Sequence, residues 1–491
     1  MTGGLDVNAL TFLAIDLGTQ SLRISALEST GRRSWAWSRP VDSTIHGDLF
    51  EQRPRQWAAW LDEGLREAGR AGVRPDAVAV AAPLAGFVAM AADGEALTAA
   101  VLYPDKRSAP YLAAVEQAAE RLDGSNPYGL RAYVPDPIPH YLRIRESEPD
   151  VYARMAHLLD ATGWLNWFLT GQYTLNEYTA LRLYDERLRS VLGVSAKAFG
   201  QAVKVGTVIG QLRADSCRRW GLPAAPVIAA TIDSKTAYLG SGIAQPGDAL
   251  DISGTVTSFG VVAGRCVVDE QKRVYSVPFG PDHYLLRGST ATAGGTLEWA
   301  RKELFADEFE SLDTLVAATA AHENNPIFLP YLSGERTPLW NPYAQGALLG
   351  LTLDMSSRAR MARAVYEGLA YSLKHIVHTM DEVGVKVDRA VVSGGLARND
   401  VLCQIKADVL GIPLTRLTDH ELTTIGLCVI AGMALGVWPD RASALRTYAQ
   451  AGRVFRADAD AHAVHQRLFG RYLRYSRALR DTFVPVGLEG A

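Results

Sequence analysis

AIDLGTQSLR, at residues 14–23, decides the fold of this chain, because a similar segment, DISGTVTS, stands at residues 251–258. In each segment a short apolar strand carries an aspartate near its end, and a turn of small residues with hydroxyl groups follows. Such a turn can offer backbone N–H groups and hydroxyls to phosphate, and the carboxylate beside it suits Mg²⁺. One such turn is usually only the end of a strand, but two of them, one in each half, predict a phosphate clamp built from two halves.

The two turns supply the candidate phosphate-binding residues. We predict Asp16 as the metal ligand, because carboxylate oxygens are preferred ligands of Mg²⁺. The spacing from aspartate to glycine is one residue longer in the second turn, so the repeat is approximate. The predicted phosphate-binding residues are Gly18, Thr19, Gln20 and Ser21 in the first turn and Gly254 and Thr255 in the second.

A third glycine turn, SGGLARND at residues 393–400, joins a predicted buried strand to a helix that begins near Asn399. Glycine lets the backbone approach a flat ligand, and a helix N-terminus offers free N–H groups, as in many nucleotide sites. Gly394, Gly395 and Asn399 are therefore predicted nucleotide-binding residues. A plain strand-to-helix turn is the alternative.

Composition excludes several classes of function. The chain has 491 residues, of which 48% are hydrophobic and 21% are charged, as expected for a globular enzyme of two domains. Its formal net charge is -3 and it has no block of Lys and Arg, so nucleic acid is not a predicted partner. The cysteines are isolated, and the uncharged run at residues 77–92 is interrupted by Pro83 and Gly86. We therefore expect a cytoplasmic protein with reduced thiols, no signal peptide and no membrane segment.

The apolar pattern predicts two α/β halves of similar plan. The segment GIAQPG at 242–247 is the predicted boundary. It divides the chain into an N-terminal domain at 1–247 and a C-terminal domain at 248–491. The predicted strands are three between 12 and 41, then 76–82, 227–230, 251–262, 284–287, 389–392 and 412–416, and the predicted helices begin at Pro54 or cover 111–122, 295–304, 358–380, 399–410 and 423–435.

Five segments in order resemble the FGGY carbohydrate kinases, a family of the actin, hexokinase and Hsp70 superfamily. The strongest match is SGERTP within residues 330–351, which is similar to xylulokinases. The others are the three turns above and EQRPRQW at 51–57. The resemblance implies an α/β fold of two actin-like (ribonuclease H-like) ATPase domains with the active site in the cleft between them. It also implies that ATP and Mg²⁺ are cofactors, that the N-terminal domain binds the sugar, and that the C-terminal domain binds the nucleotide.

The resemblance also implies a catalytic base, Asp233, which follows the last predicted strand of the first domain. Its carboxylate would take the proton of a sugar hydroxyl, because phosphoryl transfer needs an oriented nucleophile and little covalent help. The residues alone favour a simpler interpretation, in which Asp233 caps the helix that follows. Lys235 either steadies the Asp233 carboxylate or faces solvent, and the residues favour solvent.

Two further segments are similar to sugar-binding parts of the family. Asp105 and Arg107 resemble a pair that hydrogen-bonds substrate hydroxyls, and a surface ion pair is the alternative. Xylulokinases carry Gln-Met-His-Gly where this chain has PLAG at 83–86. Leu84 and Gly86 are therefore predicted substrate contacts, while alanine replaces the histidine that would touch the sugar.

The predicted activity is ATP-dependent phosphorylation of a hydroxyl of a small sugar, a ketopentose such as xylulose or ribulose. The exchange of histidine for alanine leaves a polyol or a sugar acid as alternatives, because one missing polar contact can change discrimination by orders of magnitude. A non-catalytic nucleotide switch of the actin or Hsp70 type is a further alternative, since it shares the clamp but needs no sugar pocket. The predicted partners are the small-molecule sugar and ATP, with a homodimer as an option.

Overall fold

The computed structural model describes residues 9–122, 124, 126–128, 130–280, 282–305, 309–419, 421–448 and 450–483. The strands are β1 (Thr11–Leu17), β2 (Ser21–Glu28), β3 (Arg33–Pro40), β4 (Ser43–His46), β5 (Leu49–Gln52), β6 (Ala77–Ala81), β7 (Ala85–Met90), β8 (Ala100–Leu102), β9 (His157–Leu159), β10 (Thr174–Asn176), β11 (Gln201–Val203), β12 (Val208–Gln211), β13 (Pro226–Ile228), β14 (Asp248–Ser253), β15 (Thr257–Ala263), β16 (Tyr275–Pro278), β17 (Tyr284–Ser289), β18 (Ile327–Leu329), β19 (Ala347–Leu349), β20 (Arg389–Ser393), β21 (Leu414–Leu417) and β22 (Ala451–Phe455). The α-helices are α1 (Pro54–Arg70), α2 (Leu112–Arg121), α3 (Pro137–Ser147), α4 (Pro149–Arg154), α5 (Ala161–Thr170), α6 (Glu177–Leu181), α7 (Glu186–Val191), α8 (Ala214–Trp220), α9 (Asp233–Gly240), α10 (Gly294–Trp299), α11 (Phe309–Ala317), α12 (Arg358–Glu382), α13 (Asp400–Leu410), α14 (Leu422–Ala434), α15 (Arg441–Tyr448) and α16 (Ala459–Ala478).

The chain folds into two compact units. The first comprises Met1–Gly242 and Glu421–Ala449, and the second comprises Ile243–His420 and Gln450–Ala491. Helix α14 therefore belongs to the first unit, although most of the second unit precedes it in sequence. The domain division at residue 247 stays a prediction.

A six-stranded sheet, in the order β12-β13-β6-β1-β2-β3, forms the centre of the first unit. β1, β2 and β3 pair antiparallel, whereas β6 and β13 run parallel to β1, and β12 is antiparallel to β13. In the parallel register Asp16 lies beside Ala81, so the end of β1 lies next to the end of β6. This edge, where parallel strands end, is where α/β folds place their ligands.

The second unit repeats this plan in a seven-stranded sheet, in the order β16-β17-β15-β14-β20-β21-β22. β14, β15 and β17 pair antiparallel, and β20 and β21 run parallel to β14. Asp251 lies beside Val392, as Asp16 lies beside Ala81 in the first unit. Two α/β units with this strand arrangement confirm the predicted actin-like (ribonuclease H-like) fold class.

The chain leaves the central sheet of the first unit after β6. The next strand, β7, belongs to a separate five-stranded sheet with the order β4-β5-β8-β7-β9. The turn between them includes Ala85 at φ +71° and Gly86 at φ +65°, so the backbone bends through the left-handed region at both residues. The predicted sugar residues at 84–86 therefore lie where the chain passes from one sheet to the other.

Helix α1 shows why the sequence forms these layers. Pro54 is at its first position, where the missing N–H is not needed. Trp57, Leu61 and Leu65 recur at helical spacing and are fully buried against the central sheet's core. Burial of side chains of this size contributes roughly 1.5–3 kcal/mol each.

Helix α14 packs against α9, β1 and β6 within the first unit. A Cβ atom on Gly426 would lie 2.1 Å from the carbonyl oxygen of Thr236, and one on Gly240 would lie 2.2 Å from that of Leu422. Only glycine permits two helices to approach so closely. Because α9 begins at Asp233, this contact helps to fix the position of the predicted base.

The predicted strands and helices are present, with ends that differ by a few residues. One helix differs in form, since the segment predicted at 295–304 divides into α10 and a π-helical turn at Ala300–Leu304. In that turn the N–H of Phe305 donates to the carbonyl oxygen of Ala300 at 3.1 Å, and Phe305 becomes buried. Among the described helices, none has both the length and the apolar character needed to cross a bilayer.

Candidate active site

The first phosphate turn lies between β1 and β2. The N–H of Gly18 donates to the carbonyl oxygen of Ser21 at 2.8 Å, and the carbonyl oxygen of Gln20 accepts from the N–H of Val41 at 2.9 Å. The N–H groups of Thr19 and Gln20 have no hydrogen-bond partner among the described residues. The turn is thus closed by Gly18, and two backbone donors remain available to an anion.

Gln52, which sequence reasoning did not place in the site, holds this turn. Its Nε2 donates to the carbonyl oxygen of Thr19 at 2.9 Å, and its Oε1 accepts from Nε1 of Trp57 at 3.0 Å. Gln52 and Trp57 are both buried. The sequence signal was the segment EQRPRQW at 51–57, in which Gln52 and Trp57 support the phosphate turn at the start of α1.

Asp16 lies one residue before the end of β1, and the residue is largely buried, 8% exposed. The nearest cation is Arg23, with Nη1 3.6 Å from Oδ2, and no described residue donates a hydrogen bond to the carboxylate. Burial raises the pKa of Asp16 to about 6, against the opposing effect of Arg23 and with a further increase from Glu421. A carboxylate without hydrogen bonds fits a Mg²⁺ ion, which takes hard oxygen ligands.

Asp233 is the first residue of α9, and its backbone N–H donates to the carbonyl oxygen of Ala82 at 2.8 Å. Ile232, rather than Asp233, is in the N-cap position. The carboxylate accepts a hydrogen bond from the N–H of the next residue, Ser234. Asp233 is therefore the first residue inside the helix, and the interpretation of Asp233 as the N-cap is wrong.

Asp16, near the end of β1, and Asp233, at the start of α9, lie close to each other in the first unit through β6. Asp16 lies beside Ala81 on β6, and Asp233 bonds to the backbone of Ala82, the next residue. The structure therefore brings the predicted metal ligand and the predicted base to the same edge of one sheet.

The prediction that Lys235 faces solvent is wrong. Lys235 is only 3% exposed, and its Nζ lies 2.6 Å from Oε1 of Glu177. A buried ammonium group needs a paired anion because isolated burial of a charge is costly. Lys235, which departs from the family pattern, therefore forms an ion pair that joins α9 to α6.

Asp105 and Arg107 form a largely buried pair, which excludes the surface ion pair. Asp105 is 3% exposed, and its Oδ2 accepts from Nη2 of Arg107 at 2.8 Å and from the N–H of Phe50 at 2.8 Å. Its Oδ1 accepts from the N–H and Nε of Arg107 at 3.0 and 3.1 Å. Nη2 of Arg107 also donates to Glu51 at 2.5 Å, whereas its Nη1 has no partner among the described residues. Arg107 can therefore donate to a ligand, while both oxygens of Asp105 are already used.

The residues Leu84 and Gly86 lie at the start of β7. Leu84 is half-buried, and a Cβ atom on Gly86 would lie 2.6 Å from that of Ala161. Glycine is needed at 86 because of this contact and because of its left-handed backbone. Ala85 is buried, so its methyl group, rather than an imidazole, occupies this position.

In the second unit, neighbouring side chains donate to both carboxylate oxygens of Asp251. Lys406 places Nζ 2.6 Å from Oδ2 of Asp251 and 2.8 Å from Oγ of Ser253. Ser253 in turn donates to Oδ1 of Asp251 at 2.5 Å. Asp251 therefore differs from Asp16, since its charge is neutralised within the fold.

The second phosphate turn, Gly254 and Thr255, is held by Ala293 and Gly294, which lie just before the helix predicted at 295–304. The N–H of Gly294 donates to the carbonyl oxygen of Gly254 at 2.8 Å, and that of Ala293 donates to the carbonyl oxygen of Thr255 at 2.7 Å. Thr255 is exposed, and its own N–H has no partner among the described residues. The second phosphate turn therefore also has a backbone N–H that is available to an anion.

The third turn meets the second turn directly. Gly394 has φ +86°, and a Cβ atom there would lie 2.4 Å from the carbonyl oxygen of Ser253. Gly395 is exposed, and a Cβ atom on it would meet nothing within 4 Å. Open space at a glycine beside the phosphate turn suits a flat ligand such as a nucleotide base.

Asn399 caps helix α13. Its Oδ1 accepts from the N–H of Leu402 at 2.9 Å, and its Nδ2 donates to Asp313 at 2.8 Å. The side chain of Asn399 therefore holds the start of the helix.

Glu335, in the SGERTP segment, fixes the backbone that leads into Gly294. It is 5% exposed, its Oε1 accepts from the N–H of Ala291 at 2.8 Å, and its Oε2 accepts from Oγ of Ser372 at 2.9 Å. Burial raises the pKa of Glu335 to about 7, against these hydrogen bonds. The most distinctive motif of the sequence therefore acts through the backbone that precedes Gly294.

Comparison with known proteins agrees with this geometry. Residues 11–240 match the N-terminal domain, and residues 250–435 match the C-terminal domain, of the FGGY family of carbohydrate kinases. A xylulose kinase of Staphylococcus epidermidis is 25% identical over 485 residues, which cover 94% of this chain and 95% of that protein. A glycerol kinase of Symbiobacterium thermophilum is 28% identical over 464 residues, covering 88% and 91% of the two chains.

Solved structures share the fold at lower identity. A ligand-bound xylulose kinase from Lactobacillus acidophilus superposes with a TM-score of 0.90 at 21% identity, covering 96% of this chain and 99% of that one. A gluconate kinase from the same organism gives a TM-score of 0.89 at 21% identity, covering 97% and 99%. The fold is thus shared among kinases with different substrates.

Proposed function

Because the chain belongs to the FGGY family of carbohydrate kinases, we propose that it transfers the γ-phosphoryl group of ATP to a hydroxyl of a ketopentose such as xylulose or ribulose. The observation that carries this proposal is the placement of Asp16 and Asp233 beside Ala81 and Ala82 of one sheet. Phosphoryl transfer needs this combination, in which one carboxylate holds a metal ion and another receives the proton of the nucleophile.

The proposed reaction assigns a role to each group. The sugar hydroxyl oxygen forms a bond to the γ-phosphorus of ATP, the bond from that phosphorus to the bridging oxygen breaks, and ADP leaves. The hydroxyl proton passes to a carboxylate oxygen of Asp233. Arg107 orients the sugar through Nη1, and the N–H groups of Thr19, Gln20 and Thr255 bind phosphate oxygens. Mg²⁺, held by Asp16, would neutralise charge on the phosphates.

Charge around the predicted sugar residues favours a neutral sugar over a sugar acid. Arg107 is bonded to two carboxylates, those of Asp105 and Glu51. One guanidinium against two carboxylates leaves a net negative charge at this position, which repels the carboxylate of a sugar acid. A ketopentose or a polyol meets no such repulsion.

The experiment is ADP release with MgATP on D-xylulose, D-ribulose, xylitol, glycerol and D-gluconate, comparing the native chain with Asp233→Ala. We expect turnover on a ketopentose, with kcat reduced about 10²–10⁴-fold in the variant. Asp215→Ala is the matched control, because Asp215 is an exposed aspartate in the first turn of α8. Unchanged turnover in Asp233→Ala would remove its role as base, and no turnover on any compound would favour the nucleotide switch.

A further inference from the structure

His140, on α3, contacts both segments that carry the predicted sugar residues. It is 2% exposed, its ring stacks on Phe87 at a centroid distance of 5.2 Å, and its Nδ1 lies 3.2 Å from Oγ of Ser108. Phe87 follows Gly86 directly, and Ser108 follows Arg107 directly. One imidazole thus joins the two segments.

The predicted sugar residues themselves offer few free polar groups. Both oxygens of Asp105 accept hydrogen bonds from Arg107, and one also accepts from the N–H of Phe50. Leu84 and Ala85 have apolar side chains. A sugar with several hydroxyls loses its hydrogen bonds with water on binding, so it needs further polar partners from the protein.

The second ring nitrogen of His140, Nε2, could be such a partner, because it is bonded to no residue that the structure describes. Burial lowers the pKa of His140 well below its usual value, and the charges of Arg143 and Arg107 lower it further. The imidazole is therefore neutral at physiological pH, with one nitrogen as donor and the other as acceptor.

We infer that His140 is a specificity-determining residue that hydrogen-bonds a hydroxyl of the sugar through Nε2. This inference rests on the proposed function. A hydroxyl can donate or accept, so it matches Nε2 whichever way the bond between Nδ1 and Ser108 runs. The contact selects substrates with a hydroxyl at that carbon, because a deoxy analogue would leave Nε2 unpaired in the complex.

The test compares His140→Phe with the native chain, measuring kcat, KM for D-xylulose and D-ribulose, and KM for ATP. Phenylalanine keeps the stacking on Phe87 and removes both nitrogens. We expect KM for the sugar to rise about tenfold, which is the loss of one well-placed hydrogen bond, while KM for ATP stays within about twofold. His140→Gln, which keeps a polar group near the position of Nε2, restores most of the sugar affinity.

His465→Phe is the matched control. His465 is also buried, its Nδ1 lies 2.8 Å from the hydroxyl of Tyr371, and its Nε2 also has no partner, but it belongs to the second unit. An equal rise of the sugar KM in both phenylalanine variants, or no rise in His140→Phe, overturns the inference. If His140→Phe does not fold, His140→Gln and His140→Asn are compared, and equal sugar KM values overturn it.

The outcomes separate the two proposals. A native chain that phosphorylates none of the panel contradicts the proposed function and, with it, the role of His140. A native kinase whose sugar KM does not respond to His140→Phe contradicts only the role of His140.

Discussion

Asp16 and Asp251 occupy equivalent places in the two repeated sheets, yet only one of them remains available to a metal ion. Asp16 faces a single guanidinium at 3.6 Å and accepts no hydrogen bond from a described residue. Asp251 is paired with Lys406 at 2.6 Å. The difference arises from Ser253, the extra residue of the second turn, and from a lysine 155 residues away. Such long-range pairing cannot be read from a motif.

Gln52 gives a prediction for the first phosphate turn. Gln52→Met keeps the length of the side chain but leaves the buried indole N–H of Trp57 unpaired. The carbonyl oxygen of Thr19 loses its 2.9 Å bond from Gln52 and keeps the 3.5 Å bond from Oγ of Ser43. We expect the free energy of unfolding to fall by about 1–3 kcal/mol, the cost of the unpaired buried indole N–H, and KM for MgATP to rise several-fold. Thermal melting and steady-state kinetics measure the two effects.

Gln56→Met is the control for this substitution. Gln56 stands at the same helix entry, but its amide bonds to Asp42 in an exposed position. Its substitution should change stability by no more than about 0.5 kcal/mol. Equal effects of the two substitutions would contradict the role given to Gln52.

Glu335 gives a prediction about pH. Its pKa of about 7 in the folded chain lies above the ordinary value of 4.5, so folding takes up a proton in this range. Native stability therefore falls as pH rises from 4.5 through 7, by about 3 kcal/mol for this group. Glu335→Gln imitates the protonated form, so we expect it to match the native chain at pH 5 and to be relatively more stable at pH 8.

Melting temperatures at the two pH values measure this difference. Glu298→Gln is the control, because that carboxylate is 63% exposed and its substitution should show no pH-dependent gain. A constant difference between Glu335→Gln and the native chain from pH 5 to pH 8 would show that Glu335 is ionised throughout.

Among the elements, helices α9 and α14 depend on each other. α9 carries Asp233, and its Gly240 and the Gly426 of α14 allow the two backbones to touch. Sequence analysis predicted both helices, but it assigned them to different domains. Their pairing was not predictable because small residues permit close packing without specifying the partner.

Gly426→Ala tests this pairing. The added Cβ atom would meet the carbonyl oxygen of Thr236, which lies in a helix backbone and cannot turn aside. We expect a loss of about 1–3 kcal/mol in stability and a fall in kcat, because α9 must shift. Gly470→Ala in α16 is the control, since a Cβ atom there meets nothing within 4 Å and alanine should stabilise the helix by about 0.5–1 kcal/mol. A Gly426→Ala variant as stable as Gly470→Ala would contradict the close contact.

For the whole molecule, the repeat was the most predictable feature. Two aspartate turns and the alternation of strands and helices were enough to predict two units of one plan, because strand order follows from local periodicity and short connections. The return of the chain at residues 421–449 to the first unit depends on packing between distant segments. The side-chain partners of Glu335, Lys235 and His140 also depend on packing between distant segments.

We expect the γ-phosphoryl group to reach a sugar and not water. Phosphorus-31 NMR of the native chain with MgATP and D-xylulose or D-ribulose tests it directly, because the two products have different resonances. We predict a phosphate monoester that grows in step with ADP and is lost in Asp233→Ala. Inorganic phosphate in step with ADP, with no monoester on either sugar, would contradict the account.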